Sequence, residues 1–442
     1  MCRLMTRFFA QIIRPTLAQR FLMAVRHEGL GTALRKARIF IGMLWRGEGQ
    51  SALSAGGGPS HAPEHYLQSI WQQLAQGEAF HPTPPDKGDR RFIAIIGDLN
   101  LPQCRKYRVE QLASFWEGQG VSCDFAHFQD LPRVTRLLTR ATHLVEYRLQ
   151  SSPVTEMIRY EARRLGLPIM YDIDDPLFSI SAYETYGNMG ALDPAMKAHF
   201  QSEAPKYLAM MNGADMVSVS TPQLAEHCRL FTKRPVHVRR NFADDATLMI
   251  GASAMKTRKK DDGIFRVGFA SGSQGHEADL ASIFSPLEQF IGGNAAHRLV
   301  LLGHFDRNRL PKTLHAQTDV IAFTTYENYL NELAQMNCAV MPLCDDTFNR
   351  SKSAVRLIDA ASVGVPSVVA PVGDLPNLIV QGKTGFVAKD QSEWHTALRR
   401  FESNRDATRA IGRAARTQLE THWSGAPAPH IIEQELLDWV IQ

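Results

Sequence analysis

From Arg91 onward the chain alternates short apolar runs with longer amphipathic stretches. RFIAIIG (91–97), VSCDFAHF (121–128), HLVEYR (143–148), PIMYDID (168–174), ADMVSVST (214–221) and PVHVRRN (235–241) have the length and apolar content of buried strands. Between them, 106–118, 132–141, 153–165, 193–211 and 222–229 read as helices. This alternation predicts a parallel sheet with helices on both faces. After a polar connection, 243–262, a second series begins with FRVGFAS (265–271) and continues with strands at 297–303, 318–323, 338–343 and 366–371. Its helices are expected at 277–291, 326–336, 352–363, 391–401 and 405–420, with QGKTGFV (381–387) as a turn. A last helix, 429–441, is expected to cross back and brace the first domain. The fold class is therefore α/β, with two doubly wound domains facing a central cleft.

The first 90 residues break this pattern. Residues 4–25 and 31–45 mix apolar and basic side chains and read as two amphipathic helices, the first interrupted by Pro15. GEGQSALSAGGGPSH (47–61) reads as a flexible linker, and 64–76 as a short helix before a turn-rich boundary. The predicted organisation is 1–90 basic helical extension and linker, 91–245 first domain, 263–424 second domain and 425–442 returning helix.

Composition changes one part of this picture. The 442 residues are 44% hydrophobic and 21% charged, which is globular. The 49 basic and 45 acidic residues leave a charge of only +4, which argues against a dedicated nucleic-acid binder. Residues 1–46, however, hold nine basic residues and one acid, Glu28, so the remaining body carries −4. A basic, apolar head suits either an anionic membrane surface or packing in an assembly. No run approaches the roughly 20 apolar residues of a membrane span. The six cysteines form no CxxC pair and read as reduced, buried thiols, with no metal site implied.

In a doubly wound sheet, ligands meet the carboxyl ends of the strands, and candidate chemistry is read there. Gly97 ends the first strand without a GxGxxG pattern, and Arg105, Tyr107 and Arg108 open the next helix. Asp172, Asp174 and Asp175 crowd the fourth exit and suit sugar hydroxyls, a general base, a cation or a helix cap. Tyr171, Phe178, Tyr183 and Tyr186 surround this cluster, as sugar-stacking rings or as core. In the second domain, SGSQGH (271–276) offers Gly272, Ser273 and His276 at a helix start, where backbone amides suit a phosphate. On a helix over 352–363, Lys352, Arg356 and Asp359 share a face, with Lys352 and Ser353 towards a diphosphate and Asp359 towards a ribose. Gly373, in APVGDLPN, is expected to bring backbone close to the ligand.

The ordered set VGFASGSQGHEAD, LLG, YENYLNELAQMNCAVMPL, NRSKSAVRLIDAASVGVPSVVAP and GKTGFVA resembles the retaining GT-B glycosyltransferases of family 4, of the polysaccharide- or O-antigen-building kind. YRVEQL, MYDIDDPLF, VSVSTPQLAEH and VRRNFAD agree in the first domain, so the resemblance spans roughly 91–400. It implies a GT-B fold of two Rossmann-like domains, the first holding the acceptor and the second a nucleoside-diphosphate sugar. It also implies retention of anomeric configuration, no metal and no cofactor beyond that donor substrate. The family's two glutamates, eight positions apart, fall on Ser351 and Asp359, so the first carboxylate is missing. The catalytic set is then Lys352, Asp174, Asp175 and His276. The donor contacts are Gly272, Ser273, Lys352, Ser353, Arg356, Asp359 and Gly373. The substrate contacts are Gly97, Arg105, Tyr107, Arg108 and Asp172.

The expected function is sugar transfer from that donor to a glycan or lipid-linked acceptor, in the cytoplasm or peripherally at the inner membrane face. A sugar-nucleotide epimerase of similar fold, and a catalytically weak scaffold in a polysaccharide assembly complex, are the competing readings.

Overall fold

A computed structural model describes residues 90–272, 276–441 and scattered positions between 18 and 41. The linker 47–61, the helix expected at 64–76, Cys2 and Ser273 lie outside the described residues. The chain divides into two compact units, 1–69 and 70–442. In the first, the described positions are helical, and Leu22, Leu30, Leu34 and Ile41 are exposed. None of the described helices is long and apolar enough to cross a membrane.

The second unit is built on two six-stranded sheets. Strands β1 (Phe92–Gly97), β2 (Ser122–His127), β3 (His143–Tyr147), β4 (Ile169–Ile173), β5 (Met216–Val219) and β6 (Val236–Val238) form the first, in the order β2-β1-β3-β4-β5-β6. Strands β7 (Phe265–Gly272), β8 (His297–Gly303), β9 (Thr318–Ile321), β10 (Cys338–Met341), β11 (Ser367–Val369) and β12 (Gly385–Val387) form the second, in the order β12-β11-β10-β7-β8-β9. All the paired strands run parallel. The architecture is thus two Rossmann-like α/β domains.

The strand alternation works on both faces. Phe92, Ala94 and Ile96 of β1 enter one core, while Ile93 and Ile95 enter another that continues under the second sheet. A strand buried on both sides reads as an unbroken apolar run, which is why RFIAIIG was legible.

Four expectations shift. The connection 243–262 contains a helix, Asp245–Lys256, capped by the Asp244 carboxylate accepting from the Thr247 amide. The stretch 381–387, read as a turn, includes β12, three residues whose pairing with β11 defines them. The helix expected at 277–291 is two, Glu277–Ala281 and Phe284–Gly292. The last helix starts at Gln434, because the residues before it bond to the edge of the first sheet instead. The Arg240 amide donates to the Ile431 carbonyl at 2.7 Å and the Glu433 amide to the Val238 carbonyl at 3.0 Å. The Trp439 ring then lies edge-on to His143, 4.8 Å between centroids.

The five described cysteines are unpaired. Burial pushes the thiols of Cys104 and Cys123 up to about 12, so they are chemically quiet.

Candidate active site

Strand order reverses between β1 and β3 in the first sheet and between β7 and β10 in the second. At such a switch the two departing loops part and leave a crevice. Both crevices open into one cavity of about 490 Å³. Cys104 and Tyr107 after β1, Arg148 after β3, His276 after β7, and Phe348 and Lys352 after β10 line it.

Lys352 does not begin a helix. The helix expected at 352–363 is Val355–Ser362, preceded by a separate turn, Thr347–Arg350. The carbonyl of Lys352, which would serve a continuing helix, instead accepts from the Asp374 amide at 3.0 Å. Gly373 makes this approach possible. Its φ is +64°, and a Cβ there would lie 2.7 Å from the Lys352 carbonyl oxygen. Gly373 therefore shapes the Lys352 turn from behind and is not a wall of the cavity. The Lys352 ammonium donates to the Tyr186 hydroxyl at 2.9 Å and lies 4.8 Å from the centre of that ring. Tyr186 is itself stacked on Phe348 at 4.2 Å. Ser353 and Arg356 also line the cavity, and Asn241 donates to the Ser353 hydroxyl at 2.9 Å. Arg356 has no ion pair among the described residues, so its charge is available to an anion.

Opposite lies an acidic pair. Asp174 and Asp175 line the cavity, and Arg148 stands between them, 3.6 Å from Asp174 and 3.3 Å from Asp175. Burial, then the charge of Asp174, pushes Asp175 above the usual carboxylate range, although Arg148 and Lys352 oppose this. Arg148 alone among the described non-glycine residues has a positive φ, +52°. That left-handed turn at the exit of β3 costs on the order of 1 kcal/mol, and strain of this kind clusters at functional sites.

The structure brings Lys352, Asp174, Asp175, His276, Ser353, Arg356 and Tyr107 to one cavity, and the other described candidates are not among the residues lining it. Arg108 and Asp172 are fully buried partners of each other, with Nε to Oδ1 at 2.9 Å and Nη2 to Oδ2 at 2.5 Å. Arg108 also donates to the Arg239 carbonyl at 2.6 Å, so this fork ties β4 to the end of β6 and is closed to substrate. Arg105 turns outward to Glu110, 2.7 Å away. Gly97 is a packing glycine, since a Cβ there would strike the neighbouring Tyr147 at 2.8 Å. Gly272 ends β7 beside Ser271, which lines the cavity. Ser351 is buried, its hydroxyl donating to the Thr347 carbonyl at 3.2 Å.

Asp359 sits behind the cavity wall. The hydroxyls of Tyr107 and Tyr326 both donate to its Oδ1, the second at 2.7 Å, and Oδ2 is buried without a hydrogen-bond partner among the described residues. Burial pushes this carboxyl up to about 6, against the pull of Tyr107, Tyr326 and the Lys106 charge. Of the aromatic residues noted after β4, Tyr183 and Tyr186 line the cavity, whereas Tyr171 and Phe178 belong to the core.

Sequence reasoning missed Arg148, Asn188 and Asp279. Asp279 carries a local signal, an acid three positions after a histidine. Arg148 and Asn188 carry none, because their partners lie far away in the chain.

Sucrose-phosphate synthase from Thermosynechococcus elongatus superposes on 79% of this chain and 98% of its own, with a TM-score of 0.52 and 14% identity. A glycosyltransferase from Rickettsia africae ESF-5 covers 80% and 98%, at 0.52 and 10%. The fold is GT-B. At these identities the likeness reaches the fold and goes no further. Within this GT-B chain, residues 286–427 match the family model described as glycosyl transferase-like, which is less than half of its length. No curated protein matches the chain.

Proposed function

We propose that this protein transfers a sugar, with retention of configuration, from a nucleoside diphosphate to a glycan or lipid-linked acceptor, as a member of glycosyltransferase family 4. In this reading residues 91–245 hold the acceptor, residues 263–424 the donor, and 425–442 return to brace the first domain. One observation carries it. A cation pair, Lys352 and Arg356, faces an acidic pair, Asp174 and Asp175, across a single interdomain cavity.

The chemistry follows from charge. Breaking the sugar–phosphate bond builds negative charge on the leaving diphosphate. Lys352 and Arg356, both partly buried at the cavity wall, stabilise that charge. Positive charge develops on the sugar, towards Asp174 and Asp175. Those carboxylates accept from the acceptor's other, non-reacting hydroxyls, and Arg148 keeps them apart and oriented. Family members place a carboxylate where Ser351 stands, and a buried serine hydroxyl supplies no such charge. The departing phosphate is then the base for the incoming hydroxyl, on the face it leaves. A closed cleft excludes water as a competing acceptor.

The test is incubation of the full chain with UDP-, GDP- and dTDP-linked sugars and a polyprenyl-phosphate or oligosaccharide acceptor. Formation of a glycoside with the donor's anomeric configuration is expected. A rearranged sugar with no acceptor consumed would identify an epimerase instead, and absence of nucleotide binding would leave a scaffold.

The basic head supports peripheral attachment to an anionic membrane. Leu30, Leu34, Arg38 and Ile41 are exposed at helical spacing, and residues 1–46 carry nine basic side chains against one acidic. Deleting 1–46 is expected to reduce sedimentation with phosphatidylserine vesicles at least about tenfold, since each basic residue near such a surface contributes about 1 kcal/mol. Unchanged binding would exclude this role of the head.

A further inference from the structure

His276 lines the cavity, but the residues behind it decide its chemistry. Asp279, buried one turn later, accepts four hydrogen bonds. His276 Nδ1 at 2.9 Å and Asn188 Nδ2 at 2.7 Å meet its Oδ2. The Cys344 amide and Asn349 Nδ2, each at 2.9 Å, meet its Oδ1. Burial raises this carboxyl, yet the His276 hydrogen bond and the Lys352 charge together hold it below the usual range, so it stays anionic. Burial, with Arg356 and Lys352 nearby, pushes the imidazole well below its usual value, so His276 is neutral.

A neutral imidazole carries one proton, and an anionic carboxylate only accepts. The proton is therefore on Nδ1, and Nε2 is left with its lone pair. Lys352 lies 3.5 Å from the same Nδ1, but it is a donor too, and the Tyr186 hydroxyl takes its hydrogen bond at the shorter distance of 2.9 Å. Nε2 has no hydrogen-bond partner among the described residues. Such a lone pair cannot bond a phosphate oxygen, which is also an acceptor. It can accept from a hydroxyl.

Asn188 reaches this cluster from the first domain, on the short 3-10 turn Gly187–Ala191. Its Oδ1 accepts from the amides of Ala278 at 3.0 Å and Asp279 at 3.4 Å while its Nδ2 holds the Asp279 carboxylate. The proton arrangement on His276 is thus completed by a residue from across the cleft.

We propose that His276, held as a hydrogen-bond acceptor by Asp279 and Asn188, recognises a hydroxyl of the transferred sugar and so determines donor specificity, rather than binding phosphate. This rests on the sugar-transfer reading above. Asp279 and Asn188 are positioning residues, and the one from the first domain makes recognition of the sugar depend on closure.

The experiment is calorimetric titration of the full chain with UDP, GDP, dTDP, UDP-glucose, GDP-mannose and dTDP-glucose. His276→Ala is expected to weaken the preferred nucleotide sugar about tenfold, the order of one lost hydrogen bond, while free nucleoside diphosphate binds as in the wild type. His276→Gln, which restores an acceptor, recovers part of the loss. Donors with single hydroxyls replaced by fluorine, which cannot donate, give the second readout. One of them binds the wild type about tenfold more weakly than its parent, and Asp279→Asn, which frees the imidazole to turn donor, narrows that gap. Equal weakening of diphosphate and nucleotide sugar in His276→Ala would make His276 a phosphate ligand and overturn the proposal, as would no change in either. If the wild type binds none of the six nucleotides, the sugar-transfer reading itself has failed.

Discussion

Replacing Lys352 by alanine lowers the rate of sugar transfer by about 100-fold or more, the usual effect of removing one preorganised charge from a developing anion. The loss should fall mainly on kcat, because negative charge on the diphosphate grows as the glycosidic bond breaks. The geometry explains why the neighbours do not compensate. Lys352 stands on a non-helical turn that the Asp374 amide holds, 3.0 Å from the Lys352 carbonyl oxygen, and its side chain lines the cavity. Arg356 lies one turn further along, over the Phe269 ring. A steady-state comparison of wild type and Lys352→Ala, with retained thermal stability as control, decides the matter. Turnover near wild type would remove Lys352 from the site.

Replacing Asp172 by asparagine destabilises the fold by about 3–5 kcal/mol, because it strands the buried Arg108 charge. Arg108 keeps its bonds to the Arg239 carbonyl and the Asn241 side chain, but neither carries a countercharge. The pH dependence has a definite sign. Burial alone would raise the Asp172 carboxyl, and Arg108 and Arg239 pull it below the usual range. A group depressed in the folded state adds stability above its unfolded value, about 3.9, and loses it as pH falls through the folded value. The gap between wild type and Asp172→Asn, measured by urea unfolding, is therefore full at pH 7 and shrinks on acidification below about pH 4. A gap independent of pH would mean that the charge of Asp172 contributes nothing.

Much of the fold is local information. β1 is apolar and buried on both faces because helices cover both, and β4 is buried throughout with Asp172 its one charged residue, so such two-sided strands announce themselves in five or six residues. β12 is three residues long, and its identity comes only from a neighbour, so no local pattern marked it. The helix over 245–256 was obscured by the charged run that follows it at 257–262, though its Asp244 cap and its apolar residues, Leu248, Met249 and Ile250 among them, were present in the chain.

The site divides in the same way. Lys352, Asp174, Asp175 and His276 stand at strand exits, and strand exits can be counted along a sequence. Whether a charged residue at such an exit faces the ligand or a partner cannot be counted. Arg108 and Asp172 looked as available as Asp174 and Asp175, yet the first two satisfy each other in the interior and the second two line the cavity.

The sequence by itself determined the two α/β domains, the order of all their strands but β12 along the chain and the basic head, because these follow from periodicity and composition. The tertiary structure alone decided the pairing of charges, the strain at Arg148, the proton on His276 and the place of Asn188. Each of these depends on groups far apart in the chain that meet only when two sheets face each other, and hydrogen bonds and ion pairs act over a few ångströms of space, not over distance along the sequence.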